Sequence, residues 1–244
     1  MRTFVMGDLH GAQRALVQCL ERSAFDPQED VLIQLGDVAD GHDEVFDCVE
    51  MLLTIPKLIA IRGNHDEWFR EFIETGYHPN AWHCGGVATA RSYLDRLGKR
   101  QLVFCKGIGY KTALNPSDVP KRHQDFFQRQ LPYYLDEKGR CFVHGGFDPE
   151  VSIEWQHPNR FYWDRELWLA ALDCTGDRLP MRERFDSVFI GHTSTTHEKT
   201  DQPMHKANVW NLDTGAGGGG RLTIMDVETK EFWQSDPVGE LYEN

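Results

Sequence analysis

Short apolar runs punctuated by small polar clusters organise this chain. Residues 3–6 lead into Gly7-Asp8-Leu9-His10-Gly11, and residues 31–35 into Gly36-Asp37-Val38-Ala39-Asp40-Gly41. Residues 58–61 run, through Arg62, into Gly63-Asn64-His65-Asp66-Glu67. The pattern returns where residues 141–143 meet His144-Gly145-Gly146 and where residues 188–190 meet Gly191-His192-Thr193. Near-continuous apolar runs of this length predict strands covered on both faces. Between them the period changes. Ala12, Ala15, Leu16, Cys19 and Leu20 form one helical stripe, Val45, Val49, Leu52 and Leu53 a second, and Trp68, Phe69, Phe72 and Ile73 a third. Strand and helix in alternation predict an α/β fold with helices outside a buried sheet.

Residues 209–234 read as consecutive strands with a turn near Glu228-Thr229-Lys230. Ahead of the last strands lies Gly215-Ala216-Gly217-Gly218-Gly219-Gly220, which lacks the Lys-Ser/Thr of a P-loop and leads into a strand-like run. It is expected to be a flexible hairpin-like loop, with a place beside the active site left open. With no Pro/Ser-rich linker, internal repeat or heptad, residues 1–244 are expected to form one domain.

Composition narrows the function classes. A hydrophobic fraction of 40% and a charged fraction of 26% are ordinary for a globular protein. The net charge of −12 argues against general binding to nucleic-acid backbones or anionic membranes, though not against a small basic pocket. No apolar run approaches the roughly 20 residues that span a bilayer. The six cysteines lie apart, without a C-x-x-C pair, and the strand-like segment at residues 3–6 is expected to follow no leader. Reduced, mostly buried thiols in a cytoplasmic protein are the expectation.

Ligands of open α/β sheets bind beyond the carboxyl ends of the strands, so five post-strand clusters can converge on one spot. Asp8, His10, Asp37, Asn64, His144 and His192 would then supply a mixed oxygen and nitrogen set. Such a set suits manganese, iron or zinc better than calcium, and its size, without thiolates, suggests two metals sharing a carboxylate. Singly, an aspartate after a strand is usually a helix cap or turn former. Repetition after five successive strands is what carries the chemistry. His78, His83, His123, His157, His197 and His205 stand outside that pattern and are read as packed or solvated.

In order, G-D-L-H-G, G-D-V-A-D-G, G-N-H-D-E, V-H-G-G and G-H-T closely resemble the motifs of the calcineurin-like metallophosphoesterases. The chain is most similar to the bacterial and phage branch of the phosphoprotein phosphatases, whose Gly-Gly-x-x-Thr-x-x-x-Tyr segment matches Gly85, Gly86, Thr89 and Tyr93. The resemblance implies a four-layer αββα sandwich of two mixed sheets. It implies two divalent cations, manganese first, with iron, zinc or nickel as alternatives. Asp8 and His10 would hold one, Asn64, His144 and His192 the other, and Asp37 would bridge them. His65, paired with Asp40, would be the general acid, and the attacking group a hydroxide bridging the metals, in line with the leaving oxygen.

The resemblance breaks at one point. The second motif usually reads G-D-x-x-D-R-G, its arginine gripping the substrate phosphate, but Gly41 and then His42 follow Asp40 here. Arg165 is the first candidate for a replacement clamp, with His42 and Arg91 behind it. The expected function is a phosphomonoesterase acting on phosphorylated protein or a small phosphoester, with no membrane partner. Alternatives are a symmetrical dinucleoside tetraphosphate hydrolase, a non-catalytic metal-binding scaffold and an RNA phosphodiesterase. For the nucleotide enzyme, Trp82, Tyr93, Phe161 and Trp163 are the aromatics that could stack on a base.

Overall fold

The structure, a computed structural model, describes residues 1–78, 80–107 and 109–242. Twelve strands and eight α-helices occur among them. The first half contains β1 (Thr3–Met6), α1 (Gln13–Arg22), β2 (Val31–Gln34), α2 (Val45–Leu52), β3 (Leu58–Ala60), α3 (Asn64–Thr75), α4 (Gly86–Arg96), β4 (Val103–Lys106), β5 (Gly109–Thr112) and α5 (Lys121–Arg129). The second contains β6 (Tyr133–Leu135), β7 (Arg140–Val143), α6 (Pro158–Trp163), α7 (Glu166–Asp173), β8 (Ser187–Ile190), β9 (Met204–Lys206), β10 (Val209–Asn211), β11 (Thr223–Asp226), β12 (Phe232–Gln234) and α8 (Val238–Tyr242).

Two mixed five-stranded sheets form the centre, in the orders β12-β11-β1-β2-β3 and β6-β7-β8-β10-β9, with β4 and β5 a separate ribbon. Strand parity explains the layers, because successive side chains point to opposite faces. Val5, Ile33 and Met225 of the first sheet pack against Phe142 and Phe189 of the second. The two phenylalanine rings stack with centroids 4.9 Å apart and planes 7° apart. The alternate residues Phe4, Met6, Leu32 and Ile224 face a helical layer holding Leu16, Val49, Phe69 and Phe72. On the far side, Cys141, Val143, Val188 and Ile190 pack with Tyr162, Leu167 and Trp168 of α6 and α7. The order is helix, sheet, sheet, helix, the sandwich expected from the motifs.

Parallel pairing brings the clusters together. β1 pairs with β2 from Thr3↔Val31 to Met6↔Gln34, and β2 with β3 through Ile33↔Ile59. β8 is parallel to β7 on one side and to β10 on the other. The loops leaving β1, β2, β7, β8 and β10 therefore emerge at the carboxyl ends of parallel strands.

The last third departs from the sequence expectation. β10 joins the second sheet beside β8, whereas β11 and β12 belong to the first. The glycine-rich segment thus crosses between sheets and closes no hairpin, with Leu212 buried in the inter-sheet layer just before it. The turn at Glu228-Thr229-Lys230 stands where expected. There Asp226 Oδ1 accepts from the amides of Glu228 and Thr229, and Lys230 takes a left-handed φ of 62°. All six thiols are unpaired, but only Cys19, Cys48 and Cys141 are buried, fewer than expected. No helix among the described residues is long and apolar enough to cross a membrane.

Candidate metal centre and active site

Six side chains from both sheets meet at this end of the sandwich. Asp8, just past β1, accepts the His192 backbone amide on Oδ2 at 3.0 Å and so ties the sheets together. Asp37, just past β2, accepts the His65 amide on Oδ1 at 3.0 Å. Its Oδ2 lies 3.6 Å from His10 Nε2 and 3.3 Å from His144 Nε2. His144 donates from Nδ1 to Leu35 O at 2.8 Å, which turns Nε2 toward the site, 3.1 Å from Asn64 Oδ1. His10, Asp37 and His65 form one triad of potential ligand atoms within 4.8 Å, and Asp37, His144 and His192 a second. Asp37 is common to both. Asp8 stands in neither triad, and His65 takes the place in the first that the motifs gave to Asp8.

The backbone gives way to hold these groups. His10, Asp37, Asp40 and His192 all have positive φ, half of the eight such non-glycine residues described. Strained φ values of this kind persist where surrounding structure over-determines them, and they cluster at active sites. The motif glycines serve close approach: a Cβ on Gly63 would sit 2.0 Å from Asp37 Oδ1, and one on Gly191 2.0 Å from Asp8 Oδ1.

The electrostatics call for cations. Asp8, Asp37 and Asp213 are all buried together. Burial, aided by the nearby Asp213 and Asp37, raises Asp8 well above the usual carboxylate range, and burial pushes Asp213 up to about 6. Burial lowers His10 to about 4, and burial with the neighbouring His144 lowers His192 to about 2, leaving both rings neutral with lone pairs to give. For His144 burial is outweighed by Asp37 and Asp8, which push it up to about 10.

Beside the triads stands the His65–Asp40 pair. His65 Nδ1 donates to Asp40 Oδ2 at 2.7 Å. Asp40 is fully buried, and its Oδ1 accepts from Trp82 Nε1 at 2.9 Å and Thr89 Oγ1 at 2.6 Å. Burial opposes the charged form of His65, but Asp37 and the bond to Asp40 outweigh it and push the imidazole up to about 9. Below the pair, Asp66 splices two motif loops. It accepts from the amides of Val38, Ala39 and Gly63 and from Gln130 Nε2, at 2.8–3.2 Å. Asp66→Ala orphans three buried backbone donors and is expected to cost at least about 3 kcal/mol, read as a lower thermal midpoint.

The family description for calcineurin-like phosphoesterases matches residues 1–195. The chain belongs to this family. It is 26% identical to serine/threonine-protein phosphatase 1 of Salmonella typhimurium, covering 92% of this chain and 91% of that protein. It is 34% identical to serine/threonine-protein phosphatase 2 of the same organism, covering 92% of each. A symmetrical bis(5'-nucleosyl)-tetraphosphatase of Pseudomonas fluorescens is 37% identical, over 95% of this chain and 93% of that protein. The fold is shared with a metallophosphoesterase from Sphaerobacter thermophilus at a TM-score of 0.55 and 17% identity, covering 97% of this chain and 89% of that one.

As a calcineurin-like phosphoesterase, this chain is a metal-dependent phosphoric ester hydrolase, and its residues fit the divalent cations such enzymes use. Asp8 Oδ1 and His192 Nε2 are buried without a hydrogen-bond partner, two donor atoms of the kind a cation satisfies. A cavity of about 1080 Å³ opens beside His10 and His65, bordered by Gly85, Ser194, Thr196 and Asp213. Of the three clamp candidates, Arg165 alone places its side chain on a ligand loop, its Nη1 donating to His192 O at 2.9 Å and Thr193 Oγ1 at 3.0 Å. His42 turns elsewhere, its Nε2 3.2 Å from Ala216 O and its ring stacked 4.4 Å from Tyr242. Arg91 lies on α4 with Nη2 3.8 Å from Cys105 Sγ; like Arg165, it is not among the described residues that line the cavity.

Four residues of the phosphoesterase site escaped sequence reasoning. Asp213 follows β10 in Leu212-Asp213-Thr214-Gly215, the same strand-then-polar grammar, and that signal could have found it. Asp66 lies inside a quoted motif without a role. Thr89 carried none either, and Trp82 was weighed only as a base-stacking aromatic, because their task is contact with Asp40, 49 and 42 residues away.

Proposed function

We propose that this phosphoesterase is a phosphomonoesterase of the serine/threonine phosphoprotein type. In this reading Asp8 and His10 hold one cation, Asn64, His144 and His192 the other, and Asp37 is shared, with manganese as the native metal. Bound cations neutralise phosphate oxygens and lower the pKa of water toward about 7. The chain's own groups do the rest. His65, fixed by Asp40, delivers a proton to the departing alkoxide, and Arg165 steadies the phosphate in place of the missing arginine. Ligands come from both sheets, so residues 1–244 act as one unit, and six unpaired thiols support a reducing, cytoplasmic setting.

The observation that carries the reading is the 2.7 Å bond between His65 and the fully buried Asp40. A serine or threonine alkoxide is a poor leaving group that needs a general acid, whereas a metal-binding scaffold needs none. The cavity also supports protein over dinucleotide, since among the described residues its lining holds no tryptophan, tyrosine or phenylalanine. Trp82, Tyr93 and Phe161 are buried, and Trp163, 43% exposed, lies outside that lining with its ring 6.0 Å from His192. A base entering the cavity would meet imidazoles but, among the described residues, no tryptophan, tyrosine or phenylalanine face.

The 37% identity to a symmetrical tetraphosphatase keeps that activity as the rival. Purified enzyme with Mn²⁺ is assayed on a phosphoserine peptide and on diadenosine tetraphosphate at matched concentrations. The expected result is a kcat/KM at least about tenfold higher on the peptide, a gap of one pocket contact in transition-state terms. The reverse preference would overturn the phosphoprotein assignment and leave the metal centre standing.

A further inference from the structure

The glycine-rich segment 215–220 has no part in the proposed chemistry, yet it lies against a candidate metal ligand. An ideal Cβ on Gly217 would stand 2.5 Å from His10 Cδ2, 2.9 Å from Cγ and 3.0 Å from Nε2. No side chain larger than hydrogen fits there without moving the ring. The loop is not free to retreat. Gly215 N donates to Asp213 Oδ1 at 3.1 Å, and the amides of Gly218 and Gly220 both donate to Gly215 O at 3.0 Å. Val238 N donates to Gly220 O at 2.6 Å, so the segment expected to be flexible is anchored along its length.

On its other side His10 meets Gly41. A Cβ there would come within 2.8 Å of both His10 Cβ and His10 O, at a φ of +81°. The next residue, His42, donates its amide to His10 O at 2.9 Å, and His10 N donates to Asp37 O at 2.7 Å. The two sides close on each other through His42 Nε2, 3.2 Å from the buried Ala216 O.

Resting on the metal-centre reading above, we propose that Gly41-His42 and Ala216-Gly217 form a clasp that positions His10 for its cation. The Cβ end of His10 is fixed by its backbone bonds and by Gly41. A methyl group at 217 can be relieved only at the Nε2 end, the atom 3.6 Å from Asp37 Oδ2. Gly217 and His42 are thus positioning residues, acting through His10. The clasp also gives a physical reason for the missing arginine: the position after Asp40 has no room for a side chain beside His10, so Gly41→Arg would disturb the ligand and restore no clamp.

The test is Mn²⁺ titration by calorimetry of full-length Gly217→Ala, His42→Phe and the loop control Gly219→Ala, with the thermal midpoint of each metal-free protein. A Cβ on Gly219 meets nothing within 4 Å, and neither Gly217 nor Gly219 has a positive φ, so the two alanines differ in what they touch. Gly217→Ala is expected to weaken the site served by His10 about 10–100-fold with an unchanged metal-free midpoint. His42→Phe keeps a ring against Tyr242 but loses the tie to Ala216, and is expected to weaken that site by up to about tenfold. Gly219→Ala is expected to titrate like wild type. Wild-type affinity in Gly217→Ala, or a loss of equal size in Gly219→Ala, overturns the clasp. Should Gly217→Ala not fold, His42→Phe decides alone, and unchanged affinity there overturns it. Wild-type protein that binds no Mn²⁺ would instead sink the metal-centre reading itself.

Discussion

Asp37→Asn is expected to lower hydrolysis of every phosphate ester by about 10³-fold or more, the loss of several kcal/mol of charge stabilisation. The residue earns this expectation by position. Its Oδ2 faces two imidazole nitrogens, at 3.6 and 3.3 Å, and it alone belongs to both ligand triads among the described residues. The substitution removes a charge and keeps the shape, and the His65 amide at Oδ1 still finds an acceptor, so the fold is expected to persist. Steady-state kinetics on p-nitrophenyl phosphate and on a phosphoserine peptide, with circular dichroism of the variant, check this. A folded variant retaining a tenth of wild-type activity would remove Asp37 from the centre of the account.

Asp40→Asn separates the acid from the metals. Its carboxylate accepts from His65, Trp82 and Thr89 and touches none of the six proposed ligands, so its replacement is expected to leave those six in place. An amide no longer fixes His65 as a proton donor. Loss of general acid help is expected to cost about 10²–10⁴-fold on phosphoserine, whose alkoxide needs the proton. On p-nitrophenyl phosphate, whose leaving group departs as a stable anion, the loss is expected to stay within about tenfold. The ratio of the two kcat values is the readout. Equal losses on both substrates would mean that His65 does not protonate the leaving oxygen.

These two residues were legible in the sequence because the physics that places them is local. A strand ends, a glycine turns the chain, and a charged or imidazole side chain follows. Asp8, Asp37 and His192 obey that grammar, His144 follows its strand directly with its glycines after it, and the fold delivers all four to one point because parallel strands end together. Legibility stopped where the cause was distant. Trp68 sits in a stripe read as core, yet it is only partly buried, its ring 4.8 Å from His65 and 5.2 Å from Trp163. Periodicity gives the helix but not what lies opposite each face. The strands of residues 209–234 were visible, but their division between two sheets depends on which strand edges were open, which the local pattern does not encode. The glycine run showed the same limit. Composition suggested a mobile loop, whereas its hydrogen bonds and the His10 ring make it a fixed wall.

The clamp shows the opposite case. The absence of arginine after Asp40 was plain, but only the packing around His10 gives a reason for it. Arg165, 27 residues from His192 in sequence, reaches the ligand loop through the His192 carbonyl.

Anomalous diffraction at the manganese edge from crystals soaked in Mn²⁺ tests the central claim most directly. Two peaks are expected on either side of Asp37, one beside His10 and Asp8 and the other beside Asn64, His144 and His192. A single peak away from Asp37, or none at full soak, would contradict it.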